Sequence, residues 1–219
     1  DLRHGFEQAR QFSSEPVMVE QFVPGIDHRL MVVNGKLIAA VSREPASEIG
    51  DGSRCLRELV VDINVGRSRH NLVASGYLRP VALDAAALTY LAAAGLTLDS
   101  VPPAGRKVFL RSNANLSTGG VATDLTARLH PHVRFMAEAL ARGFGLHTVG
   151  IDYISPDIGR SWHDAGGAFI EINITPSLDV LIAAGWREED VSRHVLGSAV
   201  GRIPVKLVIV PDDILPQVR

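Results

Sequence analysis

Two short stretches of sequence decide the fold: Gly150-Ile151-Asp152-Tyr153-Ile154 and, after a polar turn, Phe169-Ile170-Glu171-Ile172-Asn173. Both are largely apolar, which predicts two buried strands. Side chains alternate across a strand, so Glu171 and Asn173 share one face, and Asp152 joins them if the strands pair. Carboxylates among apolar neighbours are costly unless a cation compensates their charge. Two carboxylates and an amide oxygen are ligands that Mg²⁺ accepts, so the pattern predicts a magnesium–nucleotide site.

A plainer interpretation of the same residues is equally open on spacing alone. Asp152 would face solvent at a strand end, Glu171 would pair with an arginine, and Asn173 would begin the turn before Pro176. Acidic residues on strands are too common for the spacing to decide between the two interpretations. The neighbouring segments therefore carry the argument.

The rest of the chain alternates predicted helices with predicted strands. The clearest element is a hairpin of residues 28–33 and 36–42, because Asn34-Gly35 between them readily takes the positive φ values of a type I′ turn. Asp84 is a good cap for a helix that runs to about Ala94. Further helices are predicted at residues 5–12, 56–63 and 132–144, and further strands at 16–22 and 107–111. The predicted class is α+β, with a mixed or antiparallel sheet and flanking helices.

The composition is that of a globular chain with no strong charge preference. Its 219 residues are 46% hydrophobic, and 22 basic and 24 acidic side chains give a formal net charge of −2. This balance indicates neither a nucleic-acid-binding face nor a polybasic membrane patch, and no apolar run approaches the roughly 20 residues that span a bilayer. The single Cys55 suits a reducing compartment, so we expect a cytoplasmic protein. Because the chain opens without methionine, we expect the natural N-terminus to lie upstream.

Familiar catalytic motifs are missing from the sequence. The eight histidines include no HExxH spacing, and there is no GxSxG elbow, no GxGxxG element and no P-loop lysine motif. These absences argue against hydrolase and dehydrogenase functions.

A second candidate segment is Glu20-Gln21-Phe22-Val23-Pro24-Gly25, which follows a predicted strand. Its unpaired backbone amides could read the edge of a planar base, while Glu20 accepts a hydrogen bond from an exocyclic amine. Arg29 on the next strand suits a phosphate or a carboxylate, and His28 adjoins it. As an isolated pattern, however, a strand, a turn and a surface arginine are more often only structural.

The third candidate is the loop from Arg111 to Gly120, which has no hydrophobic period. Glycines let the backbone approach an anion closely, hydroxyl and amide groups donate hydrogen bonds, and Arg111 adds positive charge. The loop could hold a carboxylate while it is phosphorylated. The alternative is an ordinary surface turn, which composition alone favours.

The order and spacing of these motifs resemble the ATP-grasp domain of cyanophycin synthetases. The resemblance runs from about residue 16 to residue 205 and depends on the whole set rather than on any single motif. It is carried by Glu20 to Arg29, Arg43-Glu44-Pro45-Ala46, Ile49-Gly50-Asp51-Gly52, Asn113 to Gly120, Gly150-Ile151-Asp152 and Glu171-Ile172-Asn173.

The resemblance implies a ligase that uses ATP and Mg²⁺ to join aspartate to a peptide or poly-aspartate acceptor. ATP activates the C-terminal carboxylate of the acceptor as an acyl phosphate, and the amine of aspartate displaces phosphate. The resemblance implies no nucleic-acid or membrane partner and is compatible with a homo-oligomer. It assigns Asp152, Glu171 and Asn173 to magnesium; Glu20, Gln21, Phe22 and Val23 to the nucleotide; Arg29 and Arg111 to catalysis; and His28, Asn115, Ser117, Thr118, Gly119 and Gly120 to the acceptor.

Three features depart from the family pattern. The family's glycine-rich lid and ATP-contacting lysines precede the segment that Pro16 begins, and residues 1–15 contain nothing similar, so we expect residues 1–205 to be a partial ATP-grasp domain that is inactive alone. Ser177 stands where the family usually has glycine, which affects the turn and the acceptor specificity. Residues 206–219 are expected to be a linker towards a possible downstream domain, although Val208 to Asp212 lack the glycine-rich nucleotide loop of the family's Mur-ligase-like partner domain.

Two other functions compete with this interpretation. A related ATP-grasp dipeptide ligase, such as an N-acetylglutaminylglutamine synthetase-like enzyme, shares the loop Asn115-Leu116-Ser117-Thr118-Gly119-Gly120. The second alternative is a relic that binds a nucleotide or peptide without turnover. The downstream Gly201-Arg202-Ile203-Pro204 favours the cyanophycin synthetase interpretation over the first alternative.

Overall fold

The computed structural model describes residues 2–69 and 79–197. The strands are β1 (Ile26–Val33), β2 (Lys36–Glu44), β3 (Ser47–Ile49), β4 (Lys107–Phe109), β5 (Val121–Asp124), β6 (Thr148–Ser155) and β7 (Ala168–Asn173). The helices are α1 (Leu2–Phe12), α2 (Leu56–Arg69), α3 (Ala85–Ala93), α4 (Pro131–Gly143), α5 (Trp162–Ala165), α6 (Asp179–Ala183) and α7 (Glu188–Leu196).

Five of these strands form one antiparallel sheet in the order β5-β2-β1-β6-β7. Strands β3 and β4 pair separately as a small antiparallel sheet. Helices flank the large sheet, so the α+β prediction is confirmed in its antiparallel form. The centre of the large sheet is the pair β1 and β6, and both strands carry residues of the candidate site.

Apolar side chains cover both faces of the large sheet. Helix α4 packs on one face through Val133 and Ala137. Helices α6 and α7 pack on the opposite face through Leu181 and Val191. Because burial of apolar area is the main favourable contribution to folding, these two apolar layers hold the sheet between α4 on one side and α6 and α7 on the other.

A smaller lobe has its own apolar cluster, built from α2, α3, β3 and β4. Leu56 and Val60 of α2 meet Leu91 of α3 and Val108 of β4 in this cluster. The lobe is inserted in the chain between β2 and β5 of the large sheet. It supplies the loop that closes one side of the candidate site.

The predicted turn and cap residues are confirmed. Asn34 has a φ of 51° and Gly35 a φ of 73°, as the type I′ turn requires. Asp84 caps α3 by accepting a hydrogen bond from the backbone N–H of Ala87. Helix α2 is longer than predicted and extends beyond Ile63 to Arg69.

The strand predicted at residues 16–22 is wrong. These residues form no helix or strand, and most of them are exposed. An extended segment becomes a strand only when another strand satisfies its backbone groups, and this segment pairs with no strand in the part of the chain that the structure describes.

Two further points depend on which residues the structure describes. The predicted domain boundary at residue 205 and the linker at 206–219 lie outside them. Within residues 2–69 and 79–197, no helix combines the length and the apolar character that crossing a membrane requires.

Candidate active site

A row of charged residues crosses the large sheet. Strand pairing sets Arg29 of β1 opposite Asp152 of β6, and Asp152 opposite Glu171 of β7. In the next row Asn173 lies opposite Gly150. Directly opposed residues share a face of the sheet, so Asp152, Glu171 and Asn173 lie on one face, as the alternation of the sequence predicts. We call Arg29, Asp152 and Glu171 the charged row.

Asp152 is held between two arginines rather than facing solvent. Its Oδ1 lies 2.6 Å from Nε of Arg29, and its Oδ2 lies 2.9 Å from Nη2 of Arg43. The first contact is ionic but poorly aligned, since neither Arg29 Nε nor Asp152 Oδ1 has a hydrogen-bond partner within residues 2–69 and 79–197. The Asp152 side chain is 15% exposed. The plainer interpretation of Asp152, in which it faces solvent, is therefore wrong.

Arg43 extends the ion-pair network to a second carboxylate. Its Nη2 lies 2.7 Å and 2.8 Å from the two carboxylate oxygens of Asp27, the residue opposite it across β1 and β2. Burial acts to lower the pKa of Arg43, but Asp27 and Asp152 outweigh burial and raise it. Arg43 therefore stays charged and links β2, β1 and β6.

Gly150 determines how Arg29 lies across the sheet. A Cβ at Gly150 would sit 2.7 Å from Nη1 of Arg29 and 2.8 Å from Cβ of Pro176. Contacts this short do not occur in folded proteins without displacement of the neighbour. The glycine of the Gly150-Ile151-Asp152 motif thus leaves room for the Arg29 guanidinium beside Asp152.

Glu171 and Asn173 complete a donor set suited to Mg²⁺. Glu171 is exposed and has no ion-pair partner among the described residues; Asn173 accepts a hydrogen bond at Oδ1 from the backbone N–H of Thr175. The described residues contain no cluster of three His, Cys, Asp or Glu side chains that could hold a metal. Mg²⁺ commonly takes one or two carboxylates and completes its shell with phosphate and water. The residues present therefore fit Mg²⁺ bound together with a nucleotide.

A cavity of about 330 Å³, lined by three arginines and one aspartate, opens beside Arg29 of the charged row. It lies between the sheet, the loop that follows Asn113 and the start of α6. Its polar lining residues are Arg29, Arg43, Arg79, Asn115, Ser117, Ser177 and Asp179. Three guanidinium groups with hydroxyl and amide neighbours are suited to carboxylate or phosphate. We call this the charged cavity.

A second cavity of about 520 Å³ adjoins the charged cavity. The two share Arg43 and Asn115, while Tyr90, Phe109 and Arg111 line only the second. It lies between the small lobe and the start of β1. Its lining includes aromatic and cationic side chains. It is therefore suited to the remainder of a ligand whose anionic group is bound in the charged cavity.

The loop of residues 113–120, which we call the loop wall, is an ordered turn with internal hydrogen bonds. Leu116–Thr118 form one turn of 3₁₀ helix, and the Thr118 hydroxyl donates to Oδ1 of Asn113 at 2.7 Å. Gly119 has a φ of +92°, and a Cβ there would lie 2.9 Å from the Cα of Val81. A Cβ at Gly120 would lie 2.7 Å from the carbonyl oxygen of Ala114. Close packing by itself therefore requires glycine at both positions, and their contact with an anion stays a prediction.

The structure brings together only some of the residues that the sequence singled out. Arg29, Asn115 and Ser117 line the charged cavity. Arg111 lies at the second cavity, where its Nη2 donates to Asp84 at 2.7 Å. Thr118, Gly119 and Gly120 are in the lining of neither cavity, and their backbone N–H groups donate hydrogen bonds within the loop wall.

His28 and the segment Glu20-Gln21-Phe22-Val23 line neither of these two cavities. His28 is 1% exposed, with Nδ1 3.2 Å from the carbonyl oxygen of Tyr153, and burial lowers its pKa. Phe22 is 85% exposed. Their assignments to the acceptor and the nucleotide stay predictions.

Sequence reasoning connected Ser177 to acceptor specificity but missed Arg43, Arg79 and Asp179 as residues of the charged cavity. A signal for Arg43 was present, since Ala39, Val41 and Arg43 alternate along β2 and the first two are buried on the face that carries Arg29. Nothing in the local sequence marks Arg79, which reaches the cavity only through tertiary packing.

Known proteins resemble this chain over most of its length. No family model matches it. The cyanophycin synthetase of Trichormus variabilis is 36% identical over 212 residues, which cover 91% of this chain and 23% of that protein. The cyanophycin synthetase of Crocosphaera subtropica is 39% identical over 194 residues, covering 86% of this chain and 22% of that protein. The chain thus spans less than a quarter of the length of these relatives.

Relatives from glutathione biosynthesis support the fold. The bifunctional glutathione biosynthesis protein of Streptococcus mutans is 35% identical over 164 residues, covering 74% of this chain and 22% of that protein. The crystal structure of a bifunctional glutathione synthetase from Pasteurella multocida superposes with a TM-score of 0.60 at 28% identity, covering 73% of this chain and 21% of that one. By sequence and by fold, the chain therefore belongs with the ATP-grasp domains, and among them with those of the cyanophycin synthetases.

Proposed function

We propose that this chain carries the metal-binding and acceptor-binding part of an ATP-dependent carboxylate–amine ligase. The observation that carries the proposal is the charged row beside the charged cavity: acidic ligands for a cation and cationic ligands for a carboxylate lie on neighbouring parts of one site. Phosphoryl transfer requires charge neutralisation and alignment more than a covalent nucleophile. The similarity to cyanophycin synthetases and to glutathione-synthesising proteins supports the same chemistry.

In the proposed reaction an oxygen of the acceptor carboxylate attacks the γ-phosphorus of ATP, and ADP leaves. The incoming amine then attacks the acyl carbon, phosphate leaves, and the amine gives up a proton as the amide forms. Asp152, Glu171 and Asn173 would hold Mg²⁺, which when bound neutralises charge on the phosphates. Arg29 is placed to stabilise the negative charge on the oxygens of the acceptor carboxylate and of the transferred phosphate.

The arginines of the charged cavity are suited to contact an acidic acceptor. Arg29, Arg43 and Arg79 line the cavity together with one carboxylate, Asp179. Asp152 and Asp27 form ion pairs with the first two arginines, but each guanidinium has five N–H donors and can contact a further anion. A poly-aspartate peptide offers a terminal carboxylate for this cavity, and the adjoining second cavity has room for the residue before it. We therefore propose aspartate and a poly-aspartate acceptor as substrates. The cytoplasmic location and a homo-oligomeric state stay predictions from the sequence.

A second candidate is a related ATP-grasp peptide ligase that uses another acceptor. The similarity to glutathione biosynthesis proteins favours it, since those relatives share the fold over 73% of this chain. Ser177 at the charged cavity is a position where acceptor preference could differ. The two candidates share the metal ligands and differ in the occupant of the cavities.

The proposal is tested by ADP release from the protein in its full natural length. With Mg²⁺, aspartate and a poly-aspartate primer we expect ADP release that depends on the primer, and we expect Glu171→Gln to lower it about a thousandfold or more. Glu171 is exposed and unpaired in the described structure, so the free energy of unfolding should change by less than about 0.5 kcal/mol.

Glu189→Gln, at another exposed glutamate on α7, is the matched control and should retain full activity. ADP release that needs no primer, or wild-type activity in Glu171→Gln, would contradict the proposal. Primer-dependent release with a different peptide and amino acid would favour the second candidate.

A further inference from the structure

Arg67 is a buried arginine whose hydrogen bonds end on backbone carbonyls. It lies on α2 and is 7% exposed. Its Nη1 donates to the carbonyl oxygen of Arg79 at 2.6 Å, and its Nη2 donates to that of Gly119 at 2.8 Å. Burial lowers the pKa of Arg67, and the charge of the half-buried Glu48 opposes that shift. The planar guanidinium therefore ties two separate segments of the chain to α2.

Asn64 reinforces this connection from the preceding turn of the same helix. Its Nδ2 donates to the carbonyl of Val81 at 3.0 Å, and its Oδ1 accepts from the N–H of Val81 at 2.8 Å. Residues three apart on a helix lie on the same face, so Asn64 and Arg67 act side by side. Gly119 packs directly against Val81. Helix α2 thus holds Val81, Arg79 and Gly119 together.

Both tethered segments line the charged cavity. The side chain of Arg79 is part of its lining, and Gly119 ends the turn that presents Asn115 and Ser117 to it. Arg67 itself is not among the lining residues. It therefore acts on the cavity through the backbone segments that it holds.

We infer that Arg67 is a positioning residue for the acceptor: it holds Asn115, Ser117 and Arg79 where they contact an anionic group in the charged cavity. This inference deepens the proposed function and rests on it, because acceptor binding in this cavity belongs to that proposal. The tether itself is independent of the reaction, and its consequences for the loop wall are measurable without any substrate.

The test compares Arg67→Met with wild type in the natural-length protein. Backbone N–H groups of Thr118, Gly119 and Gly120 are hydrogen-bonded within the loop wall, so their hydrogen exchange reports opening of the turn. We expect exchange there to accelerate about tenfold or more. The KM for the poly-aspartate primer should rise about tenfold, while the KM for ATP should stay unchanged.

Two further variants separate positioning from general loss of structure. Arg67→Lys keeps the charge but lacks the guanidinium fork, so exchange and primer KM should lie between those of wild type and Arg67→Met. Arg57→Met is the matched control, because Arg57 lies on the same helix, is 55% exposed and contacts Asp99 at the surface at 3.4 Å. It should change neither measurement.

The possible outcomes are distinct. Wild-type exchange in a folded Arg67→Met, or faster exchange with an unchanged primer KM, would overturn the inference. If Arg67→Met does not fold, Arg67→Lys decides: faster exchange in the loop wall supports the inference and wild-type exchange overturns it. If wild type shows no primer-dependent activity, the proposed function fails, and the inferred acceptor role falls with it even if the exchange data confirm the tether.

Discussion

Arg29 of the charged row and residues of the loop wall line the same cavity, but the two regions are built differently. The charged row stands on paired strands, where register alone sets Arg29, Asp152 and Glu171 side by side. The loop wall pairs with none of the described strands, and its shape depends on its internal hydrogen bonds and on Arg67 of a separate helix. Regular structure thus places the charged groups of the site, and a tethered loop forms the wall facing them.

This difference has an energetic consequence. In the charged row, substitutions reduce stability mainly through electrostatics, because loss of one charge leaves its partly buried partners without a counter-ion. In the loop wall, substitutions reduce stability mainly through steric clashes, because the backbone at Gly119 and Gly120 is packed too closely to accept a side chain. Substitutions that act on charge alone or on volume alone therefore distinguish the two regions.

The largest effect is expected in the charged row. Asp152→Asn keeps the shape but leaves Arg29 and Arg43 without their shared counter-ion, so we expect the free energy of unfolding to fall by about 3 kcal/mol. Urea denaturation measures this loss. Asp27→Asn, which removes one of the two carboxylates that contact Arg43, is the control and should cost less. Equal losses in both variants would show that Asp152 is not the centre of the network.

A smaller effect is expected in the loop wall. Gly119→Ala places a Cβ against the Val81 backbone at a φ of +92°, so we expect a loss of about 2 kcal/mol. Gly105→Ala is the matched control: its φ is +80°, but nothing lies within 4 Å of the added Cβ. It should cost about 1 kcal/mol from backbone strain alone. If both variants lose the same amount, close packing is not what requires glycine in the loop wall.

The smallest effect concerns the pH dependence of the contact between Arg111 and Asp84, the residue that caps α3. Two hydrogen bonds lower the pKa of Asp84 below its ordinary value of 3.8. The larger contribution comes from the side chain of Arg111, and the next from the backbone N–H of Ala87. A lowered folded-state pKa contributes stability that is complete above the unfolded pKa and is lost as pH falls through the folded one. The stability difference between wild type and Asp84→Asn should therefore be constant near neutral pH and shrink below about pH 4.

Urea midpoints of wild type and Asp84→Asn, measured between about pH 6 and about pH 2.5, test this prediction. A difference that stays constant over the whole range would show that the Arg111 contact does not couple Asp84 ionisation to folding. A difference that grows on acidification would reverse the sign of the argument.

Elements with strong local signals were predicted well from the sequence. The hairpin around Asn34-Gly35, the cap at Asp84 and the alternation that sets Glu171 and Asn173 on one face are confirmed. Each depends on residues close together in the chain, so local backbone preferences decide it. The strand at residues 16–22 failed because a strand needs a partner, and a local pattern cannot supply one.

The sequence by itself thus determined the α+β class, the acidic and amide side chains on β6 and β7, and the relationship to ATP-grasp ligases. Only the tertiary structure showed that Asp152 is ion-paired to Arg29 and Arg43, that His28 is buried away from both cavities, and that Arg67 holds the loop wall. The physical reason is distance along the chain. Periodicity and turn preferences are local, whereas counter-ions, cavities and tethers join residues that only the packing of strands, helices and loops brings within contact.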